Sequence, residues 1–446
     1  MRDNYILTAE SVTEGHPDKL CDTIADAVLD ACLLGDPDSR VACEVLATAG
    51  KITVAGEITT NSMPDIPHIV CKTVRQIGYS GNYEVEVDIH DQSADIASAV
   101  EGENKNTNPE PSEAGLDWKG GARERCEGDQ RKHEQKWTLR RRAGDQGIVY
   151  GYACRETKEL LPLPVVLAHR ITMGLTEARH NHLLEWLRPD GKAQVSVEYE
   201  DGKPMRVKTV VVSAQHEPEV SQQELREAVY QRILVPALGE YLDQNTEILI
   251  NPSGSFVLGG FEADTGYWAP LEPSKAVPVG EEEQGSERSF RLSAETKMSG
   301  LCDDEMVDTY GGIVPHGGGA LSGKDCTKVD RSGAYMARYL AKNIVAAGLA
   351  EKCTVSLAYA IGKAEPLYVQ ADTHGTGIYP DVVLENVIRM IFDLTPTGMA
   401  NTLQLMEPIY QKYCNYGHFT HQSAPWEQTD CAELLWEGCD LAAEQF

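Results

Sequence analysis

Residues 17–59 read PDKLCDTIADAVLDACLLGDPDSRVACEVLATAGKITVAGEIT, and this stretch predicts a helix followed by two strands. Its first part repeats apolar residues at spacings of four and three, at Leu20, Ile24, Ala27, Ala31 and Leu34. That spacing places them on one face of a helix. Pro17 suits the first turn, and Gly35-Asp36-Pro37 ends the helix, so His16 and Asp18 are expected at its N-terminus, where anions are favoured.

The two strands, VACEVLAT (41–48) and ITVAGEIT (52–59), form a predicted hairpin. If Ala49-Gly50 is the turn, Glu44 lies opposite Ala55, and Glu57 lies a diagonal step away on the same face. Two buried carboxylates on one face are costly without a cation between them, which indicates a metal ion or an ammonium group. The alternative is that this face is solvated.

The rest of the chain predicts an irregular alternation of strands and helices, which favours an α+β fold over a doubly wound sheet. Two segments, 101–142 and 267–300, lack periodicity and are interpreted as a loop and an insertion. Residues 118–142 carry nine Lys/Arg against four Asp/Glu. Nucleic-acid binding by this run is the weaker interpretation, because aromatic residues are not interleaved with the charges.

Composition bounds the possible functions of the 446 residues. A net charge of −29 argues against a nucleic-acid partner for most of the surface. The chain has no apolar run of 18 residues and no basic-then-hydrophobic start, so no membrane association is expected. Its 12 cysteines are dispersed without a CxxC pair, which is typical of reduced thiols. Together these features predict a cytoplasmic protein.

A polar stretch at 308–332, DTYGGIVPHGGGALSGKDCTKVDRS, holds six glycines, two lysines and three aspartates and is predicted to be neither helix nor strand. Lys324 and Lys328 are cations of the kind that bind phosphates, and Asp325 and Asp330 are candidate Mg²⁺ ligands. The alternative is a surface loop with solvated charges. Gly318-x4-Gly323-Lys324 nearly matches the loop of nucleotide hydrolases, but Asp325 stands where Ser or Thr is required.

Several further motifs occur in one order with this stretch: GHPDK (15–19), GEITT (56–60), DQSADI (91–96), AGDQG (143–147), LRPDGKAQV (187–195) and INPSGSFVLGG (250–260). Together they resemble the S-adenosylmethionine synthetase (methionine adenosyltransferase) family. The resemblance spans Tyr5 to Glu427, apart from the two irregular segments.

The resemblance implies three similar α+β domains around a pseudo-threefold axis. We expect an N-terminal domain at 1–100, an extended gating loop at 101–142, a central domain at 143–260 and a C-terminal domain at 261–446. It also implies a homodimer with shared active sites, assembled further into a homotetramer. The implied reaction transfers the adenosyl group of ATP to the sulfur of L-methionine and releases phosphate and diphosphate.

The resemblance also implies roles for single residues. The implied catalytic residues are His16, Lys192, Lys324 and Lys328. The implied ATP contacts are His16, Asp190, Gly191, Lys192, Phe256, Asp264, Ala320 and Lys324. The implied methionine contacts are Glu57, Gln92, Asp145, Asp264 and Lys328. The implied cofactors are Mg²⁺, held by Asp18 and Asp330, and K⁺, held by Glu44.

The chain departs from the family pattern at cations. Ser255 replaces an arginine, and Asp303 and Asp304 stand where the family has Arg and Lys. Two anions beside a triphosphate reverse the local field, and one lost transition-state contact costs about a hundredfold in rate. A catalytically impaired homologue that binds ATP or methionine, or serves as a structural or regulatory subunit, is therefore the alternative function.

Overall fold

The computed structural model describes residues 4–100, 141–268 and 303–443. The strands in these ranges are β1 (Asn4–Val12), β2 (Arg40–Thr48), β3 (Lys51–Thr59), β4 (Glu84–His90), β5 (Gly147–Cys154), β6 (Leu187–Glu200), β7 (Lys203–His216), β8 (Glu247–Ile250), β9 (Gly266–Trp268), β10 (Lys352–Tyr359) and β11 (Tyr368–Asp372). The helices are α1 (Pro17–Gly35), α2 (Ile66–Ile77), α3 (Ala94–Val100), α4 (Leu163–His180), α5 (Gln222–Val229), α6 (Val235–Leu238), α7 (Asp303–Asp308), α8 (Val329–Ala346), α9 (Asp381–Ile391), α10 (Pro396–Thr402), α11 (Tyr410–Tyr413) and α12 (Ala432–Ala443).

Within the described residues the strands form three sheets, with the orders β4-β3-β2-β9, β1-β6-β7-β8 and β11-β10-β5. In the first two sheets a central hairpin has an antiparallel neighbour on one side and a parallel neighbour on the other. The third sheet keeps the hairpin and the antiparallel neighbour.

Each central hairpin lies between two helices in the chain. The order is α1-β2-β3-α2 in the first sheet, α4-β6-β7-α5 in the second and α8-β10-β11-α9 in the third. This repetition confirms the prediction of three similar α+β units.

The remaining antiparallel strand of each sheet comes from a distant part of the chain. β1 precedes the first hairpin but pairs with β6; β5 follows that unit but pairs with β10; β9 follows the second unit but pairs with β2. The three units are therefore interlocked. The linear domain boundaries expected from the sequence stay a prediction.

The first helix and hairpin form as predicted. Thr48 pairs with Lys51, and Glu44 pairs with Ala55. One face of β2 and β3 is fully buried, and it packs Val41, Cys43, Val45, Ala47, Ile52, Val54 and Ile58 into the core that includes α1. The opposite face is half-buried and carries Glu44 and Glu57.

Three expectations need correction. The stretch 308–332 is not wholly irregular, because α7 ends at Asp308 and α8 begins at Val329. The apolar pattern over 334–347 predicts the rest of α8, but its first residues read VDRSG, and their charges and glycine indicate a loop although Arg331 is buried against Asp26. The segment 267–300 begins inside β9. The sequence also predicts one helix over about Gln222–Leu238, but a π-helical turn at Tyr230–Leu234 interrupts it.

Candidate active site

The first group of predicted site residues lies at the N-terminus of α1. His16 is the N-cap residue and Pro17 opens the helix, but the imidazole does not cap it. His16 Nδ1 lies 3.4 Å from Asp18 Oδ2 and makes no hydrogen bond within the described residues, although it is buried. A buried polar atom normally has a partner, so this nitrogen is suited to a ligand atom.

Asp190 lies beside His16 and is only 8% exposed. Its Oδ2 accepts a hydrogen bond from the backbone N–H of Gly260 at 2.7 Å. Burial raises the pKa of the Asp190 carboxyl and the Asp264 charge raises it further, whereas His16 and the hydrogen bond from Gly260 lower it. His16, Asp190 and Asp264 therefore share one electrostatic environment.

Phe256 lies against the same segment. A Cβ atom added to Gly259 would lie 2.7 Å from Phe256 Cε2 and 3.0 Å from Asp190 Oδ2, so only glycine fits between them. Ser255, where the family has an arginine, is exposed. The structure thus groups Phe256 and Asp190, two of the implied ATP contacts.

Gly191 and Lys192 extend this group along β6. Gly191 accepts a hydrogen bond from the backbone N–H of Thr13 at 2.9 Å, which ties β6 to the turn before His16. Lys192 Nζ forms an ion pair with Glu10 Oε2 at 2.7 Å. A phosphate that binds Lys192 has to share or replace this partner.

The second group is built around Lys324. Its backbone forms an isolated antiparallel bridge with Ala42 of β2, and its Nζ lies 2.7 Å from Asp330 Oδ2. Lys324 is only 5% exposed. Gly319 lies directly over Asp330, because an added Cβ would meet the carboxylate at 2.3 to 2.5 Å. The glycine run therefore lets the loop, which continues into the buried Ala320, pass close to this ion pair.

Asp325 differs from its predicted role as a metal ligand. Its Oδ2 accepts hydrogen bonds from the Val41 backbone N–H at 2.7 Å and from Lys328 Nζ at 2.6 Å. Its Oδ1 accepts hydrogen bonds from the backbone N–H and the hydroxyl of Thr327. Both oxygens are occupied by protein donors, so Asp325 fixes the loop to β2 and orients Lys328.

Asp145 and Glu44 complete the electrostatics of the second group. Burial raises the pKa of Asp145, the Asp330 charge raises it further, and Lys324 and Lys328 oppose the shift. Burial raises the pKa of Glu44 to about 7 against the attraction of Lys324. Glu44 Oε2 is buried and has no hydrogen-bond partner in the described part of the chain, which fits an oxygen that binds a cation.

The predicted methionine contacts lie at the same end of the first sheet. Glu57 pairs with Ala42, the residue that bridges to Lys324. The backbone N–H of Gln92 donates to Thr59 Oγ1 at 3.0 Å, at the end of β3. Both side chains are partly accessible.

The two groups lie at opposite ends of β2. Ala42 marks the Lys324 end, whereas Thr48 Oγ1 lies 3.0 Å from Thr265 Oγ1, next to Asp264. Ala42 and Thr48 are six steps apart along an extended strand, which corresponds to about 20 Å. One chain therefore does not bring all the predicted site residues together.

Sequence reasoning missed two parts of the second group. Asp26 accepts hydrogen bonds from Arg331 Nη1 and Nη2, each at 2.7 Å, and from the Gly323 N–H at 2.8 Å, which fixes the backbone of the loop next to Lys324. His316 accepts a hydrogen bond on Nδ1 from the Gly318 N–H and lies within the field of Asp330. The HGGG run was the available signal for His316; the pairing of Asp26 with Arg331 had none.

Single carboxylates, not clusters, are available for metal ions. In residues 4–100, 141–268 and 303–443, no group of three or more His, Cys, Asp or Glu side chains is arranged to hold a metal ion. Asp18 belongs to the first group and Asp330 to the second. Mg²⁺ commonly binds one or two carboxylates together with substrate phosphates and water, so this donor set fits a metal that arrives with its nucleotide.

Some expectations fall outside the described residues. These are residues 101–140 of the gating loop predicted at 101–142 and residues 269–300 of the insertion predicted at 267–300. Of Asp303 and Asp304 only the backbone, in α7, is described. Their predicted roles stay predictions. No helix in the described ranges is long and apolar enough to span a membrane.

The three interlocked α+β units carry lysines and carboxylates on a glycine-rich loop, which are the side chains that phosphate-binding and cation-binding proteins use. Comparison with known families makes this specific. Residues 4–104, 140–256 and 294–428 match the N-terminal, central and C-terminal domains of S-adenosylmethionine synthetase, respectively. The chain belongs to the S-adenosylmethionine synthetase family.

Full-length relatives support this assignment. The chain is 48% identical, over 450 aligned residues, to the S-adenosylmethionine synthases of two strains of Thermus thermophilus. The alignment covers 98% of this chain and 98% of each relative. The three domain matches leave residues 105–139 and 257–293 uncovered, which are close to the two segments that the sequence set apart.

Proposed function

We infer that the protein is a methionine adenosyltransferase, which transfers the adenosyl group of ATP to the sulfur of L-methionine and releases phosphate and diphosphate. The observation that carries this conclusion is the 48% identity to S-adenosylmethionine synthases over 98% of both chains. It supports an active synthetase over an impaired homologue.

The charged residues of the two groups suit this reaction. Methionine sulfur attacks C5′ of ATP while the C5′–O bond breaks, so negative charge develops on the departing triphosphate. In this proposal His16 would donate to that oxygen, and Lys192, Lys324 and Lys328 would meet the charge on the phosphates. Asp190, Gly191, Phe256, Asp264 and Ala320 bind the nucleotide in this proposal. Glu57, Gln92, Asp145 and Asp264 bind methionine.

Mg²⁺ and K⁺ are the proposed cofactors. Asp18 and Asp330 would hold Mg²⁺, and the unpartnered Glu44 Oε2 would hold K⁺. When bound, the cations neutralise phosphate charge and stabilise the developing negative charge. The Lys324–Asp330 pair supports this assignment, because it supplies a cation and a metal-type carboxylate at the same point.

A second copy of the chain would complete each site. The first group of one chain and the second group of the same chain are about 20 Å apart along β2. A two-fold axis that packs the half-buried faces of β2 and β3 against each other would bring the His16 end of one chain to the Lys324 end of its partner. We propose a homodimer with shared sites, assembled into a homotetramer.

The cysteines and the net charge support a cytoplasmic location and small-molecule substrates. Ten cysteines in the described ranges are free, and most are buried, which supports a reducing cytoplasm. The net charge of −29 supports small-molecule substrates and no nucleic-acid partner.

The activity is tested with purified protein, ATP, methionine, Mg²⁺ and K⁺, following S-adenosylmethionine and phosphate separately. We expect both products. Lys324→Met should lose S-adenosylmethionine formation, whereas Lys352→Met, at an exposed lysine of β10, should retain it. Absence of product with the unaltered chain, alongside ATP binding, contradicts the proposed activity.

The shared site is tested by mixing two inactive variants, His16→Ala and Lys324→Met. In mixed dimers one site carries both changes and the other carries neither, so random exchange should restore about a quarter of the activity. No recovery after verified subunit exchange means that each chain builds its own site.

A further inference from the structure

The turn Thr13–His16, between β1 and α1, is held on one side by the segment that carries Asp190. The backbone N–H of Thr13 donates to the Gly191 carbonyl at 2.9 Å, and Thr13 Oγ1 donates to the Pro189 carbonyl at 2.7 Å. Gly15 packs so closely that an added Cβ would lie 2.3 Å from Pro189 Cβ. The first half of the turn therefore cannot move without β6.

The second half of the turn is held by groups outside the proposed substrate contacts. The Tyr79 hydroxyl donates to the Gly15 carbonyl at 2.5 Å. The backbone N–H of His16 donates to the Thr13 carbonyl at 3.0 Å, which closes the turn immediately before the helix. The direction of the His16 side chain is set by this short closed loop.

Glu14 links the turn to the end of α4. One oxygen, Oε1, accepts hydrogen bonds from Arg179 Nη2 and from His180 Nε2, the latter at 2.6 Å. Glu14 and Arg179 side chains are 17% and 14% exposed, so water screens this pair less than an open surface pair. Arg179 and His180 are neighbours in the last turn of α4, so the helix presents both donors to Glu14, and the helix dipole favours the positive charge of Arg179 there.

We propose that Glu14 is a positioning residue for His16, with Arg179 and His180 as its anchors. The proposal rests on the proposed adenosyl transfer, in which His16 acts at the breaking C5′–O bond. Arg179 and His180 hold the Glu14 carboxylate, which restrains the Glu14 backbone and the peptide bond that joins it to Gly15. Gly15 directly precedes His16, so this restraint also fixes the position of the His16 backbone. A displacement of about 1 Å in a reacting group costs up to about a hundredfold in rate, so loss of this anchor should slow adenosyl transfer.

The test separates adenosyl transfer from triphosphate cleavage. In Glu14→Ala we expect kcat for S-adenosylmethionine formation to fall by about tenfold or more, with the KM for methionine changed by less than about threefold. Glu14→Gln keeps one acceptor oxygen and should fall between Ala and the unaltered chain. Phosphate release from inorganic triphosphate supplied directly needs no attack at C5′ and should fall by less than about threefold.

A double variant and three single variants test whether the effect on kcat comes from the contacts of Glu14. If Arg179 acts only through Glu14, the double variant Glu14→Ala/Arg179→Met should be no slower than Glu14→Ala. Glu198→Gln removes a comparable ion pair with Arg206 (3.2 Å) on β6 and should leave kcat unchanged. Tyr79→Phe, which removes only the bond to Gly15, should also lower kcat, whereas Tyr83→Phe should not.

Results that contradict the positioning role of Glu14 differ from results that contradict the proposed function. Parallel loss of adenosyl transfer, triphosphate cleavage and thermal stability in Glu14→Ala, with Tyr79→Phe unchanged, indicates a purely structural residue and overturns the proposal. Unchanged kcat in Glu14→Ala also overturns it. Failure of the unaltered chain to form S-adenosylmethionine contradicts the proposed function instead.

Discussion

Lys324 and Asp330 form a buried ion pair, with Nζ 2.7 Å from Oδ2. The two side chains are proposed to bind different ligands, a phosphate and a metal ion, and they lie in direct contact with each other. Each side chain compensates the charge of the other, and this contact is needed because an isolated charge at 5% exposure is costly. Nucleotide and metal would exchange this contact for two new ones.

Replacement of Asp330 should reveal this exchange. In Asp330→Asn we expect the Mg²⁺ concentration for half-maximal activity to rise by about tenfold or more, because one of the few carboxylate ligands is lost. Titration of Mg²⁺ at fixed ATP and methionine measures the effect. Asp372→Asn, at an exposed carboxylate of β11, is the control. The same Mg²⁺ dependence in both variants would refute a metal role for Asp330.

The Glu44 carboxylate is expected to lower the free energy of unfolding of the protein and to bind a cation. Burial raises the pKa of its carboxyl to about 7, so at pH 8 the folded chain carries a costly buried charge. Glu44→Gln should therefore raise the free energy of unfolding of the metal-free protein by about 1–3 kcal/mol at pH 8, from the linkage of pKa to stability. The same variant should lose activation by K⁺.

Urea unfolding without K⁺ and K⁺ titration of the activity measure these two effects. Thr53→Val, on the same face of the hairpin, is the control for packing. A Glu44→Gln protein that is less stable at pH 8 and still activated by K⁺ contradicts both the buried charge and the cation site.

Asp30 should make stability depend on pH. It accepts hydrogen bonds from the backbone N–H groups of Tyr410 and Gln411, yet burial raises its pKa from 3.8 to about 7. The folded state therefore binds a proton that the unfolded state has lost, and this stabilisation fades as the pH rises from about 4 through 7. Asp30→Asn cannot ionise and should flatten the fall in unfolding free energy between pH 5 and pH 8.

Urea unfolding at several pH values measures that slope. Glu44 contributes in the same direction, so Asp30→Asn should reduce the slope and not remove it. Glu219→Gln, at an exposed acid before α5, should keep the original slope. An unchanged slope in Asp30→Asn is the result that this account forbids.

Features of the fold that depend on neighbouring residues could be predicted from the sequence. The register of the hairpin at Ala49-Gly50 follows from a two-residue turn and alternating side chains, and the structure confirms it. The exchanged strands β1, β5 and β9 were not assigned to their sheets, because pairing over a long sequence separation leaves no local signal. The start of α8 was missed because Asp330, Arg331 and Ser332 are polar residues of the kind that loops carry, and the burial of Arg331 against Asp26 leaves no local signal.

The sequence likewise predicted some residues of the candidate site but not the contacts that hold them. The Lys324 loop was recognised from its lysines and glycines, and the motif order located His16 and Asp190. The chemical roles of these residues stay predictions. The sequence did not predict the hydrogen bonds that fix the Lys324 loop. Asp325 accepts a hydrogen bond from the Val41 N–H and Asp26 accepts one from Arg331, and no motif spans either sequence separation.

Asp303 and Asp304 give a prediction that depends on sequence alone. The double variant Asp303→Arg/Asp304→Lys restores the cations of the family pattern and should raise kcat/KM for ATP by about tenfold or more, because a missing transition-state contact costs at least that much. Initial rates at varied ATP measure the effect. Glu219→Lys adds a cation away from this segment and should leave kcat/KM unchanged. No gain in the double variant means that the two aspartates do not limit the rate.

Gly319 should control the position of Asp330. A methyl group at residue 319 would lie 2.3 to 2.5 Å from the Asp330 carboxylate, so Gly319→Ala has to displace that side chain or the loop. We expect weaker Mg²⁺ activation and a slower reaction, measured by the same Mg²⁺ titration. Gly318→Ala is a matched control in the same loop: its φ of +79° costs about 1 kcal/mol of strain, but no atom lies within 4 Å of the added Cβ. Gly318→Ala should therefore lower thermal stability slightly and keep the Mg²⁺ dependence. If both alanines lower stability alike and leave Mg²⁺ activation unchanged, close approach of the loop to Asp330 serves packing and not the metal.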